Sequence, residues 1–147
     1  MERAYVFLSE DIQFEINVGE DADGVKESKL HYSFTNYGKT PAIVTGLSVF
    51  RRWYPNADLK IRNAGNEIPP GLVIGANKPW THPVTSFPIS VDEWRDASTG
   101  SGYILLAGKI AYEDIFGEAH ETGFCWAYNF DLAQFVQTPN KELNYHW

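Results

Sequence analysis

Between residues 102 and 128 the chain reads GYILLAGKIAYEDIFGEAHETGFCWAY, with large and small positions alternating on both sides of one turn signal. Ile115-Phe116-Gly117 fits a three-residue hairpin loop, a type I turn closed by a glycine in the left-handed region, which sets Asp114 opposite Glu118. Counting outward from that rung, Tyr112 faces His120, Ile110 faces Thr122, Gly108 faces Phe124, Leu106 faces Trp126 and Ile104 faces Tyr128. The large residues therefore share one face. The other face collects Lys109, Ala111, Glu113, Ala119, Glu121, Gly123 and Cys125, which are small or charged, and a slip of one residue would mix the two sets. An aromatic ring lying over Gly108 would supply the packing the glycine lacks.

The same period-two pattern recurs along the rest of the chain. Residues 4–8 form a compact apolar run, and Ile12, Phe14, Ile16 and Val18 alternate with polar neighbours, as one bent strand or two. Residues 19–26, GEDADGVK, read as an exposed acidic loop; the spacing lacks the closing glutamate of an EF-hand, so a solvated turn is favoured over a calcium site. Leu30, Tyr32 and Phe34 mark a third strand that ends in the turn-rich Asn36-Tyr37-Gly38-Lys39-Thr40-Pro41, and residues 42–53 form a fourth. From residue 55 to 79 the pattern weakens around short segments at Leu59 to Ile61 and Leu72 to Ile74. The run from Trp80 to Ile89 fits a strand, but Pro83 and Pro88 remove backbone donors and push it to a sheet edge. Ser90-Val91-Asp92-Glu93 is a capping box, predicting one short helix that carries Trp94 and stops near Ser98-Thr99-Gly100. Residues 129–136 either continue the last strand or begin a helical turn, and the tail from about residue 137 is expected to fray.

About seven strands with turn signals between them predict a single all-β domain over residues 1–147, an immunoglobulin-like antiparallel β-sandwich with one short helix. A small closed barrel is the alternative.

Composition narrows the function classes. With 147 residues the chain has the size of one ordinary domain, and 15% aromatic residues in short alternating runs, without heptads, favour sheet over bundle. The net charge of −7 and the absence of any basic cluster beyond Arg51-Arg52 disfavour nucleic acid and other anionic partners. A single cysteine, Cys125, excludes an intrachain disulfide and reads as a packing residue, since no nearby cation or helix start would lower its pKa. No apolar run approaches the ~20 residues of a membrane span, and Met1-Glu2-Arg3 is no secretory signal. The first strand begins at Arg3 or Ala4, as in a domain cut from a longer protein.

Enzyme templates are missing: the chain has no G-x-S-x-G, P-loop, G-x-G-x-x-G or H-E-x-x-H, and no cofactor is implied. One local constellation remains. In the register above, Tyr112, Asp114, Glu118 and His120 share a face at the hairpin tip, with Asp114 diagonal to His120. A carboxylate beside an imidazole suits general-base chemistry or a shared metal, so Asp114 and His120 are the candidate metal ligands. The structural reading has Asp114 bonding turn amides and His120 packing on Tyr112, and it is preferred because a hairpin tip rarely forms a pocket. A second candidate is an aromatic binding surface made by Trp53, Tyr54, Trp80 and Trp94, with Tyr145 and Trp147 also outside the hairpin.

The hairpin residues Tyr112, Asp114, Phe116, Gly117, His120, Thr122, Phe124 and Cys125 resemble a pattern found in uncharacterised proteobacterial membrane-tethered proteins with a β-rich extramembrane domain. Asn36 to Ala42 and Arg3-Ala4-Tyr5-Val6 look like two further pieces of that pattern. The resemblance spans both ends and the first third of the chain, not residues 53–94. It implies no activity; it implies an address, an extramembrane domain such as a periplasmic one, whose membrane contact is through an anchor outside this chain. The expected function is a non-enzymatic interaction or sensing domain with a protein or peptide partner. The rival expectation is a small hydrolase or carbohydrate-binding module using exposed aromatics.

Overall fold

The computed structural model describes residues 3–16, 27–54 and 71–147. The acidic stretch at residues 19–26, and with it the calcium question, lies outside the described residues, as does the segment from Leu59 to Ile61. In chain order the strands are β1 (Val6–Leu8), β2 (Gln13–Glu15), β3 (Glu27–His31), β4 (Ser33–Asn36), β5 (Ala42–Tyr54), β6 (Val73–Ile74), β7 (Pro79–Thr81) and β8 (Thr85–Pro88). Helix α1 (Val91–Ser98) follows, then β9 (Tyr103–Glu113), β10 (Ala119–Asn129), β11 (Gln134–Gln137) and β12 (Tyr145–His146). All pairings are antiparallel. The fold is all-β and sandwich-like.

One layer is built on the alternation of Leu30, Tyr32 and Phe34. β3 and β4 are a single run interrupted at Tyr32, flanked by β2 and β1 on one side and by β8 and β7 on the other. The flanking chains carry extra residues opposite the break: Ser9 N–H bonds Ser33 O at 2.8 Å, and His82 N–H bonds Tyr32 O at 3.1 Å. Such insertions bend a strand and raise its twist. The bend splits three strands into six segments, which accounts for part of the excess over the seven strands expected. β7 and β8, with Pro83 in the gap between them, form an outer strand, where missing donors do no harm to the ladder.

The other layer is the large sheet β11-β10-β9-β5-β6, with β12 added beside β10. Among the described residues it ends at β11 and β6, without a pairing that closes it into a barrel. At its centre the hairpin holds the expected register: His120 faces Tyr112, Thr122 faces Ile110, Phe124 faces Gly108 and Trp126 faces Leu106. Gly117 takes φ +78, and its N–H bonds Asp114 O at 3.0 Å, closing the type I turn. At Gly108 a Cβ would collide with the Ser48 carbonyl of β5, and Phe124 lies 3.0 Å from where it would sit. The large face of the hairpin meets the three-strand layer in one core containing Val6, Leu30, Phe34, Ile104, Leu106, Ile110 and Tyr112. The Phe34 and Phe124 rings, 5.5 Å apart and edge to face, mark the contact between layers. Each fully buried side chain of this size contributes about 1.5–3 kcal/mol relative to exposure.

Helix α1 starts as the capping box predicts, with Glu93 N–H bonding Ser90 Oγ at 3.1 Å and Ser90 N–H bonding Glu93 Oε1 at 3.0 Å. Gly100, at φ +85, follows its C-cap.

The tail departs from expectation. Instead of fraying from residue 137, the chain completes β11 and later returns as β12 along β10. Asparagine side chains do the work that turn residues usually leave to backbone: Asn140 Oδ1 accepts from Glu142 N at 2.9 Å, and Asn144 Nδ2 donates to Thr138 O at 2.9 Å. Asn144 Oδ1 in turn accepts from Cys125 N at 2.8 Å, tying the turn to the hairpin. The small outer face of the hairpin makes room for this, since a side chain at Gly123 would strike Tyr145. Leu143 packs there with Leu105, Ala107 and Cys125.

Candidate functional site

The hairpin register places Asp114 and His120 on one face, and the structure joins them. His120 Nε2 donates to Asp114 Oδ2 at 2.9 Å, while Asp114 Oδ1 accepts from Phe116 N at 2.9 Å and Glu118 N at 3.0 Å. Asp114 is 1% exposed and His120 8%. Because an ionised carboxylate only accepts, His120 carries its proton on Nε2. The hydrogen bond from His120, opposed by burial and assisted by the two turn amides, holds the Asp114 carboxyl below the usual carboxylate range.

Around this pair the chain builds a stack. The His120 ring lies 5.4 Å from Tyr112 and 6.3 Å from His146, the two imidazoles being parallel within 6°. The Tyr112 hydroxyl, fully buried, accepts from Val6 N at 3.3 Å and shares a 2.8 Å hydrogen bond with His146 Nε2. Burial raises the Tyr112 pKa; burial, and then the neighbouring His120, lowers that of His146. Tyr5 and Phe7, on alternate positions at the start of β1, close over His146 at ring separations of 5.6 and 5.2 Å.

Three stretches distant in sequence meet here. Arg3 pairs with Glu118 at 3.2 Å, and Thr122 Oγ1 donates to Val6 O at 2.7 Å. Asn36, completely buried, accepts from Tyr5 N at 3.1 Å and Gly38 N at 2.9 Å and donates to Thr40 O and Ile74 O. A side chain at Gly38 would collide with the Arg3 carbonyl, so the turn at residues 36–41 lies directly on the first strand. The residues 3–6, 36–42 and 112–125 that carry the resemblance are thus spatial neighbours.

Chemically, the constellation is occupied. Asp114, Glu118 and His120 offer ligand atoms within 4.8 Å of one another, and among the described residues these are the ones that could hold a metal ion. A cation would have to displace the imidazole from Asp114 and compete with Arg3 for Glu118. A general base would have to be the Nδ1 nitrogen, since Nε2 is committed to Asp114. What the arrangement does well is tie the hairpin tip to the first and last strands.

The sequence reading missed His146 in this network. A two-residue strand beyond a turn made by asparagine side chains carries almost no pattern of its own; the only signal is the alternation Tyr145, His146, Trp147 opposite Gly123.

The aromatic candidates are not gathered. Trp53 on β5 lies against Gly102, and its Nε1 is buried without a partner. Tyr54 packs in the outer cluster with Leu105 and Cys125. Trp80 stacks on Phe34 at 6.3 Å, and Trp94 meets Phe130 at 4.8 Å and Tyr128 at 5.8 Å. All four are half-buried. Cys125 is buried, and desolvation raises its pKa, which keeps the thiol protonated. Among the described residues no helix is long and apolar enough to cross a membrane. Comparison of the chain with family models, curated proteins and solved structures finds no match.

Proposed function

We propose that this chain is a non-enzymatic interaction or sensing domain, the extramembrane part of a membrane-anchored bacterial protein. The observation that supports the non-enzymatic reading is the lack of any catalytic motif to go with the hairpin-tip pair, whose Asp114 also holds two turn amides. The anchor rests on the resemblance of residues 3–6, 36–42 and 112–125, supported by their convergence on one end of the sandwich. In an immunoglobulin-like sandwich, edge strands and end loops are the surfaces that peptide or protein partners use.

The test has two arms. A screen of the purified chain against ester, phosphoester, peptide and glycoside substrates is expected to show no turnover; turnover abolished by His120→Ala would overturn the non-enzymatic reading. The full open reading frame is expected to encode apolar segments of ~20 residues upstream of Arg3. A natural frame beginning at Met1 with no such segment on either side would remove the anchor.

A further inference from the structure

The seam where the three-strand layer meets the large sheet holds a cavity of about 270 Å³. Phe7 enters it from β1, Tyr37 from the turn after β4 and Trp126 from β10, with Glu10 and Gln137 at its polar positions. The rings of Phe7 and Tyr37 stand 6.2 Å apart and tilted by 48°, forming a corner rather than a closed stack. Tyr37 is 57% exposed at the start of a turn that Asn36 braces through Gly38 N, so its ring is presented, not buried. The Thr122 hydroxyl, also in the wall, is already committed to Val6 O. Among the described residues that line the cavity, none is Lys, Arg or His, and the one formal charge is the Glu10 carboxylate.

Aromatic faces carry negative quadrupole density, and a carboxylate beside them adds a full negative charge; the ligand such walls favour is an organic cation. The net charge of −7 acts in the same direction, raising the local concentration of cations and repelling anions. A neutral sugar would use the Tyr37 hydroxyl, the Trp126 indole N–H and the Gln137 amide, but would leave the Glu10 charge without a counter-ion. We propose that this cavity is a binding site for a small organic cation carrying an ammonium or methylated ammonium group, seated against Phe7, Tyr37 and Trp126 with Glu10 as counter-charge. The site names a ligand class for the sensing function proposed above and in that sense rests on it.

The probe is choline, titrated into the purified chain and followed by calorimetry and by the ring resonances of Phe7, Tyr37 and Trp126. Its uncharged isostere 3,3-dimethylbutan-1-ol has the same shape without the charge, and methyl glucoside tests the neutral-sugar option. Saturable choline binding that shifts these three rings is expected, with the isostere at least about tenfold weaker. Glu10→Gln, an exposed substitution that leaves the fold alone, is expected to weaken choline several-fold. Equal affinity for choline and the isostere would reduce the site to an apolar cavity, preferential binding of methyl glucoside would make it a sugar site, and no response to any probe would remove it. Enzymatic turnover, by contrast, would sink the proposed function while leaving cation binding untouched.

Discussion

The molecule contains two turns that do the same job with different residues. The β9–β10 turn uses Gly117 in the left-handed region, and Asp114 accepts two amide protons to hold it. The β10–β11 turn, residues 130–133, opens with Asn129, whose Oδ1 accepts from Leu132 N at 2.9 Å, and closes with Ala133 at φ +51. Both are side-chain-capped turns ending in a positive φ, yet only the first announces itself. Glycine enters the left-handed region without steric penalty, whereas an alanine there costs about 1–2 kcal/mol and is therefore a poor sequence signal. Packing tolerates it because the flanking strands are held elsewhere: Phe135 is buried against Phe14 and Tyr128, at 5.6 Å each.

If the first turn is the structural keystone and the second merely a connection, removing their caps should have unequal effects. Asp114→Ala takes acceptors from two turn amides and from a buried imidazole at once, so its urea midpoint should fall further than that of any other turn variant, with zinc content unchanged and substoichiometric. Stoichiometric zinc in the natural protein, lost in His120→Ala, would instead make the tip a metal centre.

The network behind the first turn should also give it a pH dependence. Burial makes a proton on His146 costly in the fold, so the unfolded chain takes up that proton first, and stability should fall as pH drops below the ordinary histidine value of 6.5. The fall ends once the pH lies below the lowered folded value. Asp114 adds a second step: its stabilising contribution is complete above its ordinary value of 3.8 and is lost as pH falls through the lower folded value. Urea midpoints from pH 7.5 to 3 should resolve the two; His146→Phe should flatten the upper step and leave the lower one. An unchanged upper step would place that titration in another group.

Gly117→Ala should lose about 1–2 kcal/mol, because the φ it must adopt is the one an L side chain resists. Asn129→Ala removes one exposed hydrogen bond, from Leu132 N, and should lose about 0.5–1.5 kcal/mol, less than Asp114→Ala by a clear margin. The smallest effect belongs to Ala133→Gly. Relief of left-handed strain is nearly offset by the greater freedom of glycine in the unfolded chain, so a gain of at most about 0.5 kcal/mol is expected. If Ala133→Gly stabilised as much as Gly117→Ala destabilises, the contrast between the turns would reduce to glycine content alone.

These contrasts explain what could be read in advance. The long hairpin, its register and the capped helix were legible because each is encoded by neighbours in sequence: alternation, a glycine closing a three-residue loop, a serine three places before a glutamate. The Asp114–His120 contact was legible for the same reason, since register alone brings the two together. His146 was not, because its place depends on Asn140 and Asn144 folding a turn against Cys125, a contact across 19 residues. Nor was the break at Tyr32, which arises where strands of unequal residue count are paired.

By itself, then, the sequence determined the local geometry: which residues share a face, where the main turn reverses and where the helix starts, because backbone sterics and short-range hydrogen bonds act within a few residues. Tertiary structure alone decided that residues 3–6, 36–42 and 112–125 meet, that the last strand docks on the hairpin, and that an aromatic seam opens between the layers. Those outcomes depend on long-range packing. Their free energy comes from burying side chains and satisfying polar groups between elements far apart in the chain, and no window of sequence contains both partners.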